Sequence, residues 1–417
     1  MINKIGIIGL STMGKNLALN FASKGIETVC YNRSVEKTNN LENSPNIIKA
    51  FSIKEFCDQL GPLKVILLLV KAGDATNATL DLLKPLLDEN DIIIDLGNAN
   101  YKDSTLRQNM IPNYYVCGIS GGAKGARDGA SMMLSGNVNN KENLLELLGK
   151  VSASDFEGLP TVEFLGEGVE GNVVKTVHNG IEYSQLQILS EIYSVLKYKN
   201  SLNDIGISTL FKQWSLDKKD YILEMMAQAL ETPNLLENTK PIIESKGTGK
   251  WTAQMALEEN IYSITIPYSY NLRLLNIPLD KNQVSSQSIP IDVLSDLYDE
   301  GYRYILREGL VIIRSIAPTV DLNKVRRVWQ GGCIIRNYNL SGPDDKAGVF
   351  NSMLYISLYK SLKLQDLPTP ILSVIYQNSL INIHGLPGHP LIAVTRDIFG
   401  SHGFINMEGE KIYKTWN

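Results

Sequence analysis

Short unbroken apolar runs alternate with helical stretches through the first 120 residues. "KIGIIGL" (4–10), "ETVCYN" (27–32), "KVILLLV" (64–70), "DIIIDLG" (91–97) and "YYVCGIS" (114–120) each read as a strand bounded by turn residues. None alternates apolar with polar, which is the pattern of a sheet covered on both faces. Between the first two runs, "MGKNLALNFASKG" (13–25) is amphipathic and ends at Gly25, a natural helix stop. Strand, helix and strand at this spacing predict βαβ units and a parallel sheet, an α/β Rossmann-like domain. From about residue 170 the period changes. "YSQLQILSEIYSVL" (183–196), "DYILEMMAQAL" (220–230), "YRYILREGLVIIRSIA" (302–317) and "VFNSMLYISLYKSL" (349–362) repeat apolar residues at helical spacing with no competing strand alternation. A large all-α domain is therefore expected, followed by a Gly- and His-rich stretch that reads as an extended tail. The expected divisions are 1–168, 169–384 and 385–417.

The chain has 417 residues, too many for one ordinary core. Its 44 acidic and 40 basic side chains give a net charge of −4. No basic excess is left to neutralise a nucleic-acid backbone, so an anionic ligand must meet locally gathered Lys and Arg. Cys30, Cys57, Cys117 and Cys333 show no CxxC spacing and no histidine pairing. Neither a zinc site nor a disulfide framework is expected, and reduced thiols suit a cytoplasmic protein. The apolar run "VILLLV" is far short of a bilayer span, and the N-terminus lacks a signal peptide's plan.

The turn after the first strand reads Gly9-Leu10-Ser11-Thr12-Met13-Gly14. It follows the dinucleotide fingerprint with Ser11 in place of the middle glycine. A small residue there still lets backbone approach a pyrophosphate at a helix N-terminus. The second strand ends Tyr31-Asn32-Arg33-Ser34-Val35-Glu36-Lys37, with no acid at its tip to grip a ribose 2′-hydroxyl. Arg33, Ser34 and Lys37 instead gather where a 2′-phosphate would lie, so NADP is expected rather than NAD. The plainer alternative is that Arg33 and Lys37 are solvated surface charges.

"KTVHNGIEY" (175–183) places Lys175, His178, Asn179 and Glu182 at i, i+3, i+4 and i+7, on one helix face. Facing solvent, such a stripe is ordinary. Facing a cleft, a lysine whose pKa is depressed is a general base, and a glutamate kept protonated is a general acid. His178 and Asn179 would then orient hydroxyls or a carboxylate. "KGTGKW" (246–251) is not a P-loop, because Glu244 stands where the upstream glycine belongs. A glycine-flexed loop with lysines and a threonine hydroxyl still suits a phosphate. Arg273, Arg396 and His402 each read singly as surface charges.

Taken together these stretches resemble the decarboxylating 6-phosphogluconate dehydrogenases. The likeness rests on "GLSTMGKNLALN", "YNRSVEK", "LLLVKAG", "GNANYKD", "SGGAKGARDGASMM", "KTVHNGIEY", "KGTGKWTA", "WQGGCIIR" and "TRDIFGSHGF", in that order. The resemblance implies oxidative decarboxylation of 6-phosphogluconate with NADP, in the pentose phosphate pathway, by a homodimer whose tail reaches the partner's active site. It makes Lys175 the base at the C3 hydroxyl and Glu182 the acid at C1 of the product. It gives Asn98, Ser120, Gly121, Gly122, His178 and Asn179 to the carboxylate and hydroxyls. It gives Tyr183, Lys246, Thr248 and Arg273 to the phosphate, with Arg396 of the other subunit and His402 nearby. Asn32, Arg33, Ser34 and Lys37 would bind the ribose phosphate, and Val70, Lys71 and Ala72 would line the cofactor loop. The chain departs from the family at Leu96 and Ala99, usually Gly and Ser, and at Ala123 and Lys124, where acids are common. Other readings are an NADP-dependent dehydrogenase of another sugar acid, and a catalytically weak binding or regulatory homologue.

Overall fold

The computed structural model of the chain describes residues 2–243, 247–275, 287–341, 350–364 and 366–415. Its N-terminal part is built on eight strands: β1 (Lys4–Ile8), β2 (Glu27–Tyr31), β3 (Ile47–Ala50), β4 (Val65–Leu68), β5 (Ile92–Asp95), β6 (Tyr114–Ser120), β7 (Ser131–Ser135) and β8 (Val162–Phe164). They form one sheet in the order β3-β2-β1-β4-β5-β6-β7-β8. All neighbours are parallel except β6 and β7. The strand order reverses between β1 and β4, and ligand crevices of such sheets open beyond the carboxyl ends at that point.

Successive residues of one strand feed opposite faces. Leu67 and Ile94 join one apolar cluster with Leu17 and Phe21, whereas Ile66 and Ile93 join another with Phe56 and Val29. Both faces are covered, which is why the runs carry no polar alternation. The five predicted strands are present. β3 (Ile47–Ala50), β7 (Ser131–Ser135) and β8 (Val162–Phe164) were not expected, because none carries a long apolar run.

The chain then becomes helical, as the change of period predicts. The central element is Glu170–Ser194, whose apolar residues Val174, Val177, Ile181, Ile188 and Ile192 pack with Tyr302, Ile305, Ile312 and Ile313 of the helix Ile291–Ile316. Glycines allow its first turns to lie against the sheet. A Cβ on Gly118 of β6 would stand 2.4 Å from the Cβ of Lys175, and one on Gly171 would stand 2.2 Å from the Met133 carbonyl oxygen. Further helices include Thr248–Glu258, Thr265–Leu272 and Pro370–His384.

After Gly385 almost every residue is exposed, in keeping with a drawn-out tail. The tail is not irregular, however. It holds a helix, His389–Gly400, and a two-stranded pair, Phe404–Ile405 with Lys411–Ile412. Among its described residues Asp397 alone is buried, and it accepts from the amides of Gly403 and Lys414.

Candidate active site

A cavity of about 630 Å³ opens where β1, β4, β5 and β6 end and meets the middle of the Glu170–Ser194 helix. Its nucleotide side is built by the turn after β1. Gly9 has φ +104°, and a Cβ there would stand 2.5 Å from the Leu69 carbonyl oxygen. A Cβ on Gly14 would stand 1.9 Å from the carbonyl oxygen of Gly9. The turn therefore closes on itself and on β4, and only glycine fits at both positions. Ser11 precedes the helix Thr12–Ser23 with extended backbone, makes no capping hydrogen bond, and no acid follows in the first turn. The N-terminal amides are thus offered to an anion, and Ser11, Thr12 and Met13 line the cavity.

Asn32 fixes that turn from β2. Its side-chain oxygen accepts from the Leu10 amide at 2.9 Å, and its nitrogen donates to the Ser34 carbonyl at 3.1 Å. Arg33, Ser34 and Lys37 follow in an exposed turn and helix start, outside the cavity wall. Neither Arg33 nor Lys37 forms an ion pair among the described residues, so both charges are open to a phosphate. Val70 lines the cavity, while Lys71 and Ala72 lie in the loop beyond it. A closed glycine turn, open helix amides and two unpaired cations at the β2 tip fit a dinucleotide with a 2′-phosphate.

The reaction side brings together Asn98, Ser120, Gly121, Gly122, Lys175, Asn179 and Glu182. Lys175 and Glu182 do face one crevice with the nucleotide turn. Lys175 Nζ donates to Asn179 Oδ1 at 2.9 Å. Burial lowers the Lys175 pKa, opposed by the Glu182 charge. Burial raises the Glu182 pKa, opposed by Lys175 and then Arg273. Burial wins at both groups, which drives the pair toward neutral amine and protonated acid.

His178 departs from the expected face. It is wholly buried and stands behind Lys175 and Asn179 rather than in the cavity wall. Its Nδ1 lies 3.0 Å from Asn179 Oδ1, and its Nε2 lies 2.9 Å from both Ser120 Oγ and Cys333 Sγ. Burial first, then the neighbouring Lys175, pushes its pKa well down. The Asn179 oxygen only accepts, so Nδ1 carries the ring proton and Nε2 accepts from Ser120 or Cys333. Burial pushes the Cys333 thiol up to about 12, so it stays an S–H donor. The fold thus brings a cysteine to a histidine although the sequence shows no such spacing. Cys333 and His178 are 155 positions apart, and no local spacing reveals the contact.

At the far end Tyr183, Thr248 and Arg273 meet. The Arg273 guanidinium lies 3.3 Å from the Tyr183 ring centre, a cation–π contact. A Cβ on Gly249 would stand 2.4 Å from the Tyr183 ring, so the glycine makes room for it. Lys246 lies outside the described residues. Arg396 and His402 sit exposed in the tail and do not reach the cavity of their own chain. Leu69, Ile119 and Ile334 also line the cavity. Sequence reasoning did not single them out, because apolar residues at strand ends look like core.

Residues 4–166 match the family model of the NAD binding domain of 6-phosphogluconate dehydrogenase, and residues 171–299 match that of its C-terminal domain. The chain is 31% identical over 465 aligned positions to a Staphylococcus epidermidis 6-phosphogluconate dehydrogenase, decarboxylating, covering 100% of this chain and 99% of the relative. A Staphylococcus aureus relative of the same name is 31% identical over 467 positions, with the same coverage. Among solved structures, Plasmodium falciparum 6-phosphogluconate dehydrogenase matches with a TM-score of 0.88 at 27% identity, over 99% of this chain and 100% of that one. It was determined in apo form, with its cofactor NADP+ and with its substrate 6-phosphogluconate. Mycobacterium tuberculosis 3-hydroxyisobutyrate dehydrogenase matches at TM-score 0.51 and 14% identity, over 66% of this chain and 93% of that one, a likeness of fold.

Proposed function

The chain belongs to the 6-phosphogluconate dehydrogenase family, and from that premise we propose how its own residues turn 6-phosphogluconate into ribulose 5-phosphate and carbon dioxide with NADP. The observation that carries the reading is that Lys175 and Glu182, two turns apart on one helix, both line the crevice that the Gly9–Gly14 turn and Asn98 also line. When bound, NADP supplies the acceptor for the hydride that leaves C3.

Lys175, whose pKa burial lowers, takes the proton of the C3 hydroxyl. Asn179 keeps the amine aimed, because its amide oxygen takes one of the amine's hydrogens. Oxidation at C3 places a ketone β to the carboxylate, and that ketone takes up the electron pair released when the C1–C2 bond breaks. Glu182, whose pKa burial raises, then delivers a proton to the carbon that becomes C1 of the five-carbon product. Asn98, Ser120, Gly121 and Gly122 hold the carboxylate and hydroxyls. His178 acts from behind, fixing Ser120 and Asn179. Tyr183, Thr248 and Arg273 hold the phosphate, and the guanidinium provides a fork matched to its oxygens. We assign Lys246 to the same end, and Arg396 and His402 of a second subunit to its closure.

Leu96 motivates a second reading, another phosphorylated sugar acid, because it places apolar surface beside Asn98. The deciding assay follows NADP reduction and carbon dioxide release with a panel of sugar acids. Equimolar products from 6-phosphogluconate, at the highest kcat/KM of the panel, are expected. Turnover restricted to a different acid would support the second reading, and NADP binding without any turnover would overturn both. Lys175→Met should lower kcat on the order of 10²–10⁴-fold, the usual worth of a positioned general base. Circular dichroism should show the fold retained, and near-normal turnover would remove Lys175 from its role.

A further inference from the structure

Glu308 has no place in the chemistry above, yet its buried carboxylate gathers five hydrogen bonds from a single short segment. Oε1 accepts from the Ser263 hydroxyl at 2.5 Å and from the amides of Ile264 and Ile266 at 3.1 Å. Oε2 accepts from the Thr265 amide at 3.2 Å and the Thr265 hydroxyl at 2.9 Å. These donors form the start of the helix Thr265–Leu272, whose capping residue Ile264 has no side-chain acceptor and whose first turn holds no acid. The first amides of a helix lack partners of their own. Here a carboxylate from another helix satisfies them and opposes the positive end of the dipole.

The other end of that helix carries Arg273. Thr265 to Arg273 is about 12 Å of helix, so a small tilt at the start moves the guanidinium across the cavity. The neighbouring Gly309 ties the clamp to the catalytic helix. A Cβ there would stand 2.5 Å from Ile181 and 3.1 Å from Val177, so this turn of Ile291–Ile316 rests directly on Glu170–Ser194. Ile266 closes the triangle, since its Cγ2 lies 2.9 Å from where a Cβ on Gly180 would stand.

We propose that Glu308 is a positioning residue for the substrate's phosphate end: it clamps the start of the Thr265–Leu272 helix and so sets the reach of Arg273 relative to Lys175 and Glu182. The proposal rests on the reading of Arg273 as a phosphate ligand. A merely structural Glu308 would instead disturb every kinetic constant alike.

The test is a double-mutant cycle of Glu308→Gln and Arg273→Ala in the full-length enzyme, read by steady-state kinetics. The amide turns one acceptor into a donor facing N–H groups, and so releases part of the clamp. The KM for 6-phosphogluconate should rise about fivefold in Glu308→Gln and at least about tenfold in Arg273→Ala, as lost charge-assisted hydrogen bonds do. The KM for NADP and kcat should stay within about twofold in Glu308→Gln, and the double variant should resemble Arg273→Ala alone, because coupled residues are not additive. An unchanged 6-phosphogluconate KM in Glu308→Gln, an equal rise for NADP, or full additivity overturns the proposal. No effect of Arg273→Ala overturns the reading of Arg273 itself. Should Glu308→Gln not fold, Ser263→Ala removes one donor and leaves the rest of the clamp. It is then judged by the same outcomes, at an expected rise of about twofold to threefold.

Discussion

Lys175 and Glu182 illustrate how burial and mutual attraction pull the protonation of two groups in opposite directions. Each would stabilise the other's charged form, but burial acts on both and is the larger cause at each. The coupling has a measurable sign. The Glu182 carboxylate raises the Lys175 pKa, so removing it lowers that pKa further. The base must be unprotonated, and a lower pKa leaves it so at lower pH. In Glu182→Gln the acid limb of the pH profile of kcat/KM for cofactor reduction should therefore move to lower pH, while formation of ribulose 5-phosphate slows. A limb that stays in place or moves upward would show that the two groups do not feel each other. His178 teaches a different point. Its spacing from Lys175 and Glu182 puts it on their face in the sequence, but the ring turns inward to Ser120 and Cys333, and only tertiary contacts decide that.

Among the elements, the contact of β6 with the catalytic helix sets where the chemistry stands. Gly118 faces the Cβ of Lys175 itself. Gly118→Ala should push the helix away from the strand and displace the base. A shift near 1 Å is expected to lower kcat by roughly 10²-fold, beside a stability loss of about 1–3 kcal/mol from overpacking. Denaturant melts together with kcat would separate the two effects. Wild-type kcat at wild-type stability would mean that the contact does not set the base's position. The same level shows what element prediction can see. Long amphipathic helices and fully apolar strands announce themselves, whereas β7 and β8 become strands by pairing with β6 and with each other.

The whole chain leaves its tail with little cover. Leu391 and Phe399 are 71% and 72% exposed, and Met407 is 99% exposed. Apolar surface of this kind asks for a partner, and we assign that place to a second copy of the chain, whose cavity would receive Arg396. Coexpression of Lys175→Met with Arg396→Ala chains tests this. If the tail acts across the dimer, half of the dimers are mixed and each holds one intact site, so about one quarter of wild-type activity should return. If the tail serves its own subunit, the mixture should be no more active than the more active parent. Among the described residues no helix is long and apolar enough to cross a membrane.

The α/β-then-α order, the glycine turn with its Arg33 and Lys37, and the helical spacing of Lys175, Asn179 and Glu182 are legible along the chain. These are local properties, set by the period of apolar residues, by the conformations open to glycine, and by which side chains carry charge. Folding is what brings Ser120 and Cys333 to His178 and sets Glu308 against the start of the Arg273 helix. It alone placed the amine and the acid where burial outweighs their attraction. Those relations join residues distant in the chain, and their energies depend on distance and on how much water is excluded, neither of which a linear pattern encodes.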